Sequence, residues 1–113
     1  MALVINYGDE LVRFNPSNKH IEYSNNEGVS WYWRYTLDMG NARCLVDCGK
    51  GLLLCSEKGI FFSDCSGRSW NRRNSIYTNF TDMMKTGSEI VAFTNDGHVY
   101  YSKDYGCSWN KRK

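Results

Sequence analysis

One eight-residue pattern occurs three times in this chain, at a constant spacing of 39 residues. Each copy begins with serine and ends with tryptophan, and a glycine occupies the same place within it. We call this unit the Ser–Trp motif; its copies are Ser24–Trp31, Ser63–Trp70 and Ser102–Trp109. A unit repeated at a fixed period is typical of folds assembled from stacked or radially arranged repeats. The motif therefore limits the possible folds more than any other feature of the sequence.

Short apolar runs, separated by turn residues, precede each Ser–Trp motif. A glycine follows the first run in every repeat, at Gly8, Gly49 and Gly87, which predicts a hairpin at each position. A third run, rich in β-branched and aromatic residues, leads into the motif. No stretch has the apolar periodicity of a helix. We therefore expect four short antiparallel strands per repeat, with the fourth beginning at the motif tryptophan.

Four short strands in a period of about 40 residues predict one blade of a β-propeller. We expect an all-β fold of three four-stranded antiparallel blades, covering residues 1–39, 40–79 and 80–113. The 113 residues suffice for one core, because a chain of this size buries roughly two thirds of its surface on folding.

The Ser–Trp motif resembles the Asp box, also called the BNR repeat, of sialidases, sortilin-type receptors and photosystem II assembly factors. The third copy matches the pattern Ser-x-Asp-x-Gly-x-Ser/Thr-Trp throughout, with Ser102, Asp104, Gly106, Ser108 and Trp109. The first copy has Asn26 at the aspartate position, and the second has Cys65. This resemblance implies a β-propeller fold and is a poor guide to function.

We expect the motif to have a structural role. Its carboxylate or amide should accept backbone N–H bonds, its glycine permits a positive φ, and its serine hydroxyls close further turn bonds. The tryptophans should pack between neighbouring sheets, because large aromatic side chains are mostly buried. Cys65 should cost the middle turn one acceptor. The structural residues so predicted are Ser24, Asn26, Gly28, Trp31, Ser63, Gly67, Trp70, Ser102, Asp104, Gly106 and Trp109.

Three blades are fewer than the four to eight of typical closed propellers. The sequence begins with an innermost strand and stops four residues after Trp109, so we expect no spare strand that could close a ring. Each end face should then be a bare row of apolar residues. Because oligomers are commonly two-fold, we predict a homodimer that forms a six-bladed ring. A different partner that carries further blades is the alternative.

Candidate ligand-binding residues occur in two places. Asn6, Asp47 and Lys85 each stand two residues before a hairpin glycine, and strand alternation places them on one face, toward the channel. They could bind a polar ligand or only water. Trp33 has no counterpart in the other repeats, and beside Arg34 it could stack on a sugar or a base, or fill the dimer junction.

Basic residues concentrate in the predicted outermost strands. They are Arg34, Arg72, Arg73, Lys111, Arg112 and Lys113. They could form a basic rim for an anionic partner, or they could protect a bare sheet edge from aggregation. The net charge of +2 is too small to favour a nucleic-acid partner by itself.

The sequence does not favour an enzyme. Sialidases, as the resemblance implies, use an arginine triad, a tyrosine activated by glutamate and an aspartate, whereas Arg13 and Arg43 are the arginines of the predicted inner strands. A degenerate glycosidase remains an alternative under the two-carboxylate mechanism. The two histidines are isolated, and Cys44 with Cys48 cannot complete a four-ligand zinc site, so we predict no metal and no cofactor.

We predict a non-catalytic binding module. Carbohydrate is the favoured ligand, because the architecture is similar to that of small propeller lectins built from few blades per chain; a protein-interaction scaffold is the main alternative. The five cysteines follow no pairing pattern and the N-terminal residues do not resemble a secretory signal, which favours a cytoplasmic location. No apolar run approaches the roughly 18 residues of a membrane span.

Overall fold

The computed structural model describes residues 3–36, 40–74 and 79–112, and its regular structure consists of β-strands. Among these residues the strands are β1 (Val4–Tyr7), β2 (Glu10–Asn15), β3 (His20–Ser24), β4 (Tyr32–Thr36), β5 (Ala42–Asp47), β6 (Leu52–Ser56), β7 (Gly59–Ser63), β8 (Asn71–Asn74), β9 (Phe80–Thr86), β10 (Glu89–Thr94), β11 (Val99–Ser102) and β12 (Asn110–Lys111). They form three four-stranded sheets, in which strands that follow each other in the chain pair antiparallel. We call the sheets blade 1 (β1–β4), blade 2 (β5–β8) and blade 3 (β9–β12). The boundary predicted after residue 39, and Lys113 of the basic set, lie outside the described residues.

Tight turns set the register of the strands. Tyr7 pairs with Glu10, so the first hairpin closes through two residues, and the φ of 65° at Gly8 is one that glycine adopts without strain. Thr86 and Glu89 pair in the same way around Gly87. Each fourth strand begins one residue after the motif tryptophan rather than at it. The reason is that the tryptophan still belongs to the turn, where its indole packs against the motif glycine.

Blade 2 lies between the other two blades, and each of its faces forms a hydrophobic core with one neighbour. Leu52 and Leu54 belong to the core shared with blade 1, whereas Leu53 and Cys55 belong to the core shared with blade 3. Every residue of β6 is therefore buried, although its side chains alternate between two sides. We call the side of a blade that faces the lower-numbered blade its front face, and the opposite side its back face; in blade 1 the front face is the side with the same register positions.

The two end faces differ in character, which corrects the prediction that both are apolar rows. On the front face of blade 1, Arg13 pairs with Glu22 at the register positions that Leu54 and Phe61 occupy in blade 2. The two side chains form an ion pair of 2.8 Å, and the guanidinium lies 4.0 Å from the ring centroid of Trp31. Burial alone would raise the pKa of Glu22, but hydrogen bonds from the side chains of Arg13, Asn15 and Asn18 hold that pKa below its ordinary value. The front face of blade 1 is thus partly polar.

Candidate functional site

The Ser–Trp motif is a hydrogen-bonded turn centred on its first serine. The buried Ser102 hydroxyl accepts from the amides of Asp104 and Gly106, at 3.4 and 2.9 Å, and donates to the Asp104 carboxylate at 2.7 Å. That carboxylate accepts from the Ser108 amide at 2.9 Å. Burial alone would raise the pKa of Asp104, but the hydrogen bonds from Ser108 and Ser102 hold it below its ordinary value. The stabilisation from this carboxylate is therefore present above its unfolded-state pKa and is lost as the pH falls through the lowered folded-state value.

The first two copies keep this arrangement with other acceptors. Asn26 Oδ1 accepts from the Ser30 amide at 2.9 Å, and Cys65 Sγ accepts from the Ser69 amide at 3.2 Å. The sulfur atom of Cys65 thus accepts the hydrogen bond that we expected to be lost, at a longer distance than Asn26 Oδ1 does. Burial alone would raise the pKa of the Cys65 thiol, but hydrogen bonds with Ser69 and Ser63 hold it below its ordinary value.

The motif tryptophans occupy two different environments. Trp70 and Trp109 are 8% and 6% exposed and belong to the cores between blades. Each indole N–H donates at 3.1 Å to the carbonyl of the glycine in its own motif. Trp31 is only partly buried, because its motif lies on the front face of blade 1, where no other described blade covers it. Two copies of the motif therefore stabilise blade junctions, and the first copy lies at an end of the described chain.

The three polar residues expected near a channel do not meet in one site. Asn6, Asp47 and Lys85 are all exposed. The Asp47 carboxylate accepts from the Gly49 amide at 2.9 Å and so closes its own hairpin. Lys85 lines a cavity between blades 2 and 3, and Asn6 lines a second cavity on blade 1.

Trp33 and Arg34 have different surroundings, although they are adjacent in β4. Trp33 is 60% exposed, and its indole N–H donates to the Thr36 hydroxyl at 3.0 Å. The Arg34 side chain is 5% exposed and forms a bidentate ion pair with the carboxylate of Glu10. A further N–H of Arg34 donates at 3.0 Å to the carbonyl of Ser66 in blade 2. Arg34 therefore joins two blades, and Trp33 remains available to a ligand without it.

The arginine at the position of Arg34 repeats in every blade and stacks on an aromatic ring of the third strand. The distances from guanidinium carbon to ring centroid are 3.8 Å for Arg34 on Tyr23, 3.9 Å for Arg73 on Phe62 and 4.1 Å for Arg112 on Tyr101. Such a stack holds the cation against its own sheet. Three of the six basic residues predicted to form a rim are thus held by contacts within the chain, and Arg72 lies at a longer distance, 5.7 Å, from the ring centroid of Phe61.

A cavity of about 210 Å³ lies between the hairpins of blades 2 and 3. Blade 2 contributes residues 48–50, and the blade 3 side is lined by Lys85, Gly87, Ser88, Glu89, Ile90, Ser102 and Tyr105. The Lys50 ammonium lies 4.9 Å from the ring centroid of Tyr105, and the Lys85 ammonium approaches the opposite hairpin at Gly49. Lys50 and Tyr105 were not predicted from the sequence. Their proximity could have been predicted, because Lys50 follows a hairpin glycine and Tyr105 belongs to a Ser–Trp motif. In an antiparallel four-stranded sheet, the first hairpin and the motif lie at the same end.

A second cavity, of about 490 Å³, lies on blade 1. Its lining positions are nearly those that blade 3 contributes to the first cavity. Asn6 pairs with Leu11, and Leu11 with Ser24, just as Lys85 pairs with Ile90 and Ile90 with Ser102. The residues that line it are Asn6, Gly8, Asp9, Glu10, Leu11, Ser24, Asn25 and Glu27. All of them except Asn25 occupy positions of the blade 3 lining of the first cavity, and none of them comes from another blade.

Two of the three buried cysteines form a thiol pair in the core between blades 2 and 3. Cys44 and Cys55 are register partners, and their sulfur atoms lie 3.0 Å apart. The hydrogen bond with Cys55, together with burial, raises the pKa of the Cys44 thiol. Within residues 3–36, 40–74 and 79–112, no three His, Cys, Asp or Glu side chains are grouped to hold a metal ion. The same residues contain no helix long and apolar enough to cross a membrane.

Comparison with known proteins identifies a structural relative but no family. No protein-family model matches the chain, and no curated protein matches it either. A solved structure described as "YCF48 bound to D1 peptide" has a TM-score of 0.72 to this chain and 17% sequence identity. The similarity covers 97% of this chain and 40% of that one, so this chain spans less than half the length of its relative. At this identity the similarity shows the fold alone, and that fold is a β-propeller.

Proposed function

We propose that this chain is a non-catalytic protein-interaction module, and that it binds an extended peptide with an acidic side chain in the cavity between blades 2 and 3. Two copies are proposed to form one propeller as a homodimer. The observation that carries the peptide proposal is the pair of lysines, Lys50 and Lys85, on opposite sides of that cavity. The similar YCF48 structure contains a peptide, which supports a peptide as the class of ligand.

The size of the cavity favours one side chain over a whole small molecule. Pockets for drug-sized ligands measure about 300–1,000 Å³. The cavity of about 210 Å³ is smaller than these, so it can accept one anchoring group while the rest of a peptide lies across the surface. Cys48 and Ile90, both buried, give it an apolar base.

The charges at the cavity favour an anionic anchor. Glu89 is the acidic residue of its lining, and Arg112 neutralises it through two hydrogen bonds, of 2.7 and 3.2 Å. The hydrogen bond from Arg112 also lowers the pKa of Glu89, which therefore stays ionised and paired. Because Glu89 is paired, the ammonium groups of Lys50 and Lys85 give the mouth of the cavity a positive charge. They could hydrogen-bond a carboxylate of the peptide, and such charge-assisted bonds are among the stronger ones in proteins.

Lys85→Glu is expected to weaken the binding of a fluorescein-labelled hexaglutamate peptide at least about tenfold, because it replaces a charge-assisted hydrogen bond by repulsion. Fluorescence polarisation at fixed salt measures the affinity. Lys58→Glu is the matched control: it changes the net charge equally, but Lys58 lies in the turn between β6 and β7, at the other end of blade 2. Equal losses in the two variants, or tighter binding of a hexalysine peptide by the unmodified protein, would reject the cavity as an acidic-peptide site.

Carbohydrate binding is the second candidate function, and the exposure of Trp33 favours it. An indole that is 60% exposed can stack on the apolar face of a sugar ring. A glycan array should then show binding by the unmodified protein and loss of that binding in Trp33→Ala, while Lys85→Glu binds as before. An array without any bound glycan, or glycan binding that persists in Trp33→Ala, would remove this candidate.

A further inference from the structure

The two junctions inside the chain are built in the same way. In each, the motif glycine of the following blade lies against two aliphatic side chains on the back face of the preceding blade. The contacts are Gly67 with Val12 and Ile21, and Gly106 with Leu53 and Ile60. An arginine of the preceding blade also reaches the next motif, since Arg34 donates to the Ser66 carbonyl and Arg73 to Cys107 Sγ. Together these contacts define what one blade offers to the next.

The back face of blade 3 carries the same features without a following blade among the described residues. Val91 and Val99 stand at the register positions of Leu53 and Ile60. Val99 is only partly buried, whereas Ile60 is fully buried. The side chain of Arg112 is 46% exposed, against 5% for Arg34 at the same position of blade 1. The difference arises because blade 2 covers Arg34.

The front face of blade 1 carries the complementary half. Gly28 occupies the place of Gly67 and Gly106, but its nearest neighbours, Leu11 and Trp31, belong to its own blade. Glu27 stands at the place of Ser66, the residue that Arg34 contacts, and it is exposed. An arginine that approached this motif as Arg34 approaches blade 2 would therefore lie beside the backbone carbonyl of an acidic residue. Likewise, the second cavity is lined by residues of blade 1 alone, whereas the first cavity is lined by residues of two blades.

We infer that the back face of blade 3 docks on the front face of blade 1 of a second copy of this chain, with Arg112 directed at the partner's Glu27. When both junctions form between the same two copies, the two contacts are identical and the assembly is a closed two-fold ring of six blades. Six is also the only multiple of three within the four to eight blades of typical closed propellers. The inference rests on the proposed homodimer and specifies its interface.

The Arg13–Glu22 ion pair makes this junction weaker than the two inside the chain. An apolar pair occupies these positions in blades 2 and 3, namely Leu54 with Phe61 and Ala92 with Tyr100. Burial of an ion pair is opposed by the loss of hydration, and apolar replacements of similar volume are often neutral or stabilising. The homodimer is therefore expected to dissociate on dilution while each chain remains folded. Arg13→Leu combined with Glu22→Phe should tighten it.

Light scattering over a range of concentrations tests the interface, with circular dichroism to verify folding. The unmodified chain should approach twice 13.1 kDa at high concentration. Glu27→Arg should raise the dissociation constant of the homodimer at least about tenfold, because it opposes Arg112 with a like charge. Asp64→Arg is the matched control, since Asp64 is an exposed acid of the same motif in blade 2 and should leave the mass unchanged. The Arg13→Leu, Glu22→Phe variant should lower the constant by a similar factor.

The outcomes separate this interface from the homodimer itself. A dimer that is unaffected by Glu27→Arg, or equally affected by Asp64→Arg, would overturn the interface and leave the homodimer standing. A chain that stays monomeric at all concentrations, with Arg13→Leu, Glu22→Phe monomeric as well, would overturn both. Binding of the hexaglutamate peptide should persist in folded Glu27→Arg, because the first cavity lies within one chain.

Discussion

Replacement of Gly106 by alanine is expected to lower the free energy of unfolding by about 3 kcal/mol, as the sum of backbone strain and overpacking. Gly106 has a φ of 90°, which an alanine adopts only with strain. A Cβ at this position would also lie 3.1 Å from a methyl group of Leu53 and 3.3 Å from one of Ile60. Both methyl groups belong to buried side chains of blade 2, which cannot easily move away.

Gly97→Ala is the matched control for this prediction. Gly97 has nearly the same φ, 89°, but nothing lies within 4 Å of a Cβ placed there. This substitution should therefore cost only the strain, about 1 kcal/mol. Urea denaturation followed by tryptophan fluorescence measures both free energies, because Trp109 lies in the affected junction. Equal losses for the two variants would contradict the proposed contact between the motif glycine and the preceding blade.

Arg34→Ala is expected to lower the free energy of unfolding by about 3 kcal/mol, near the lower end for a broken buried ion pair. The substitution removes the partner of Glu10, whose side chain is 21% exposed and so remains poorly hydrated. It also removes the stack on Tyr23 and the hydrogen bond to the Ser66 carbonyl. One side chain thus supports both blade 1 and the contact between blades 1 and 2.

Arg112→Ala provides the internal comparison. Arg112 occupies the equivalent position in blade 3, where it stacks on Tyr101 and pairs with Glu89 as Arg34 does with Tyr23 and Glu10. The side chain of Arg112 is 46% exposed, so the loss in dilute protein should be clearly smaller than for Arg34. Thermal and urea unfolding at two protein concentrations would measure this. Similar losses for both arginines would show that coverage by the next blade is unimportant. A loss at Arg112 that grows with concentration would agree with the interface between copies.

Several details could be read from the sequence because they depend on neighbours along the chain. The hairpins at Gly8 and Gly87, and the acceptor role of Asp104, follow from residue types at fixed short spacing. The start of the fourth strand was predicted one residue early, since the spacing does not show that the tryptophan completes the turn. The acceptor role of Cys65 was also missed, because a thiol contacts an amide N–H only when the rest of the motif brings it there.

The candidate site was less accessible to sequence reasoning. Lys85 was identified as a polar residue beside a hairpin, but its contact with the hairpin of blade 2 depends on how two sheets pack. Trp33 was identified because it lacks a counterpart; it is 60% exposed, and its binding role stays a prediction. From the sequence, Arg34 was predicted to share a binding site with its neighbour Trp33. In the structure Arg34 instead lies at the junction between blades 1 and 2.

The sequence alone determined the repeat unit of this protein: the strand count, the antiparallel order and the turn chemistry of each blade. These follow from local spacing, because strand alternation and turn geometry act over a few residues. Only the tertiary structure decided which of three equivalent positions is covered and which is open. Arg34 and Arg112 are nearly identical in their own blades, and their difference in exposure arises from a blade that lies next to one and not the other. Burial depends on the surrounding chain, and for that reason the end faces and the cavities could be recognised only after the blades were assembled.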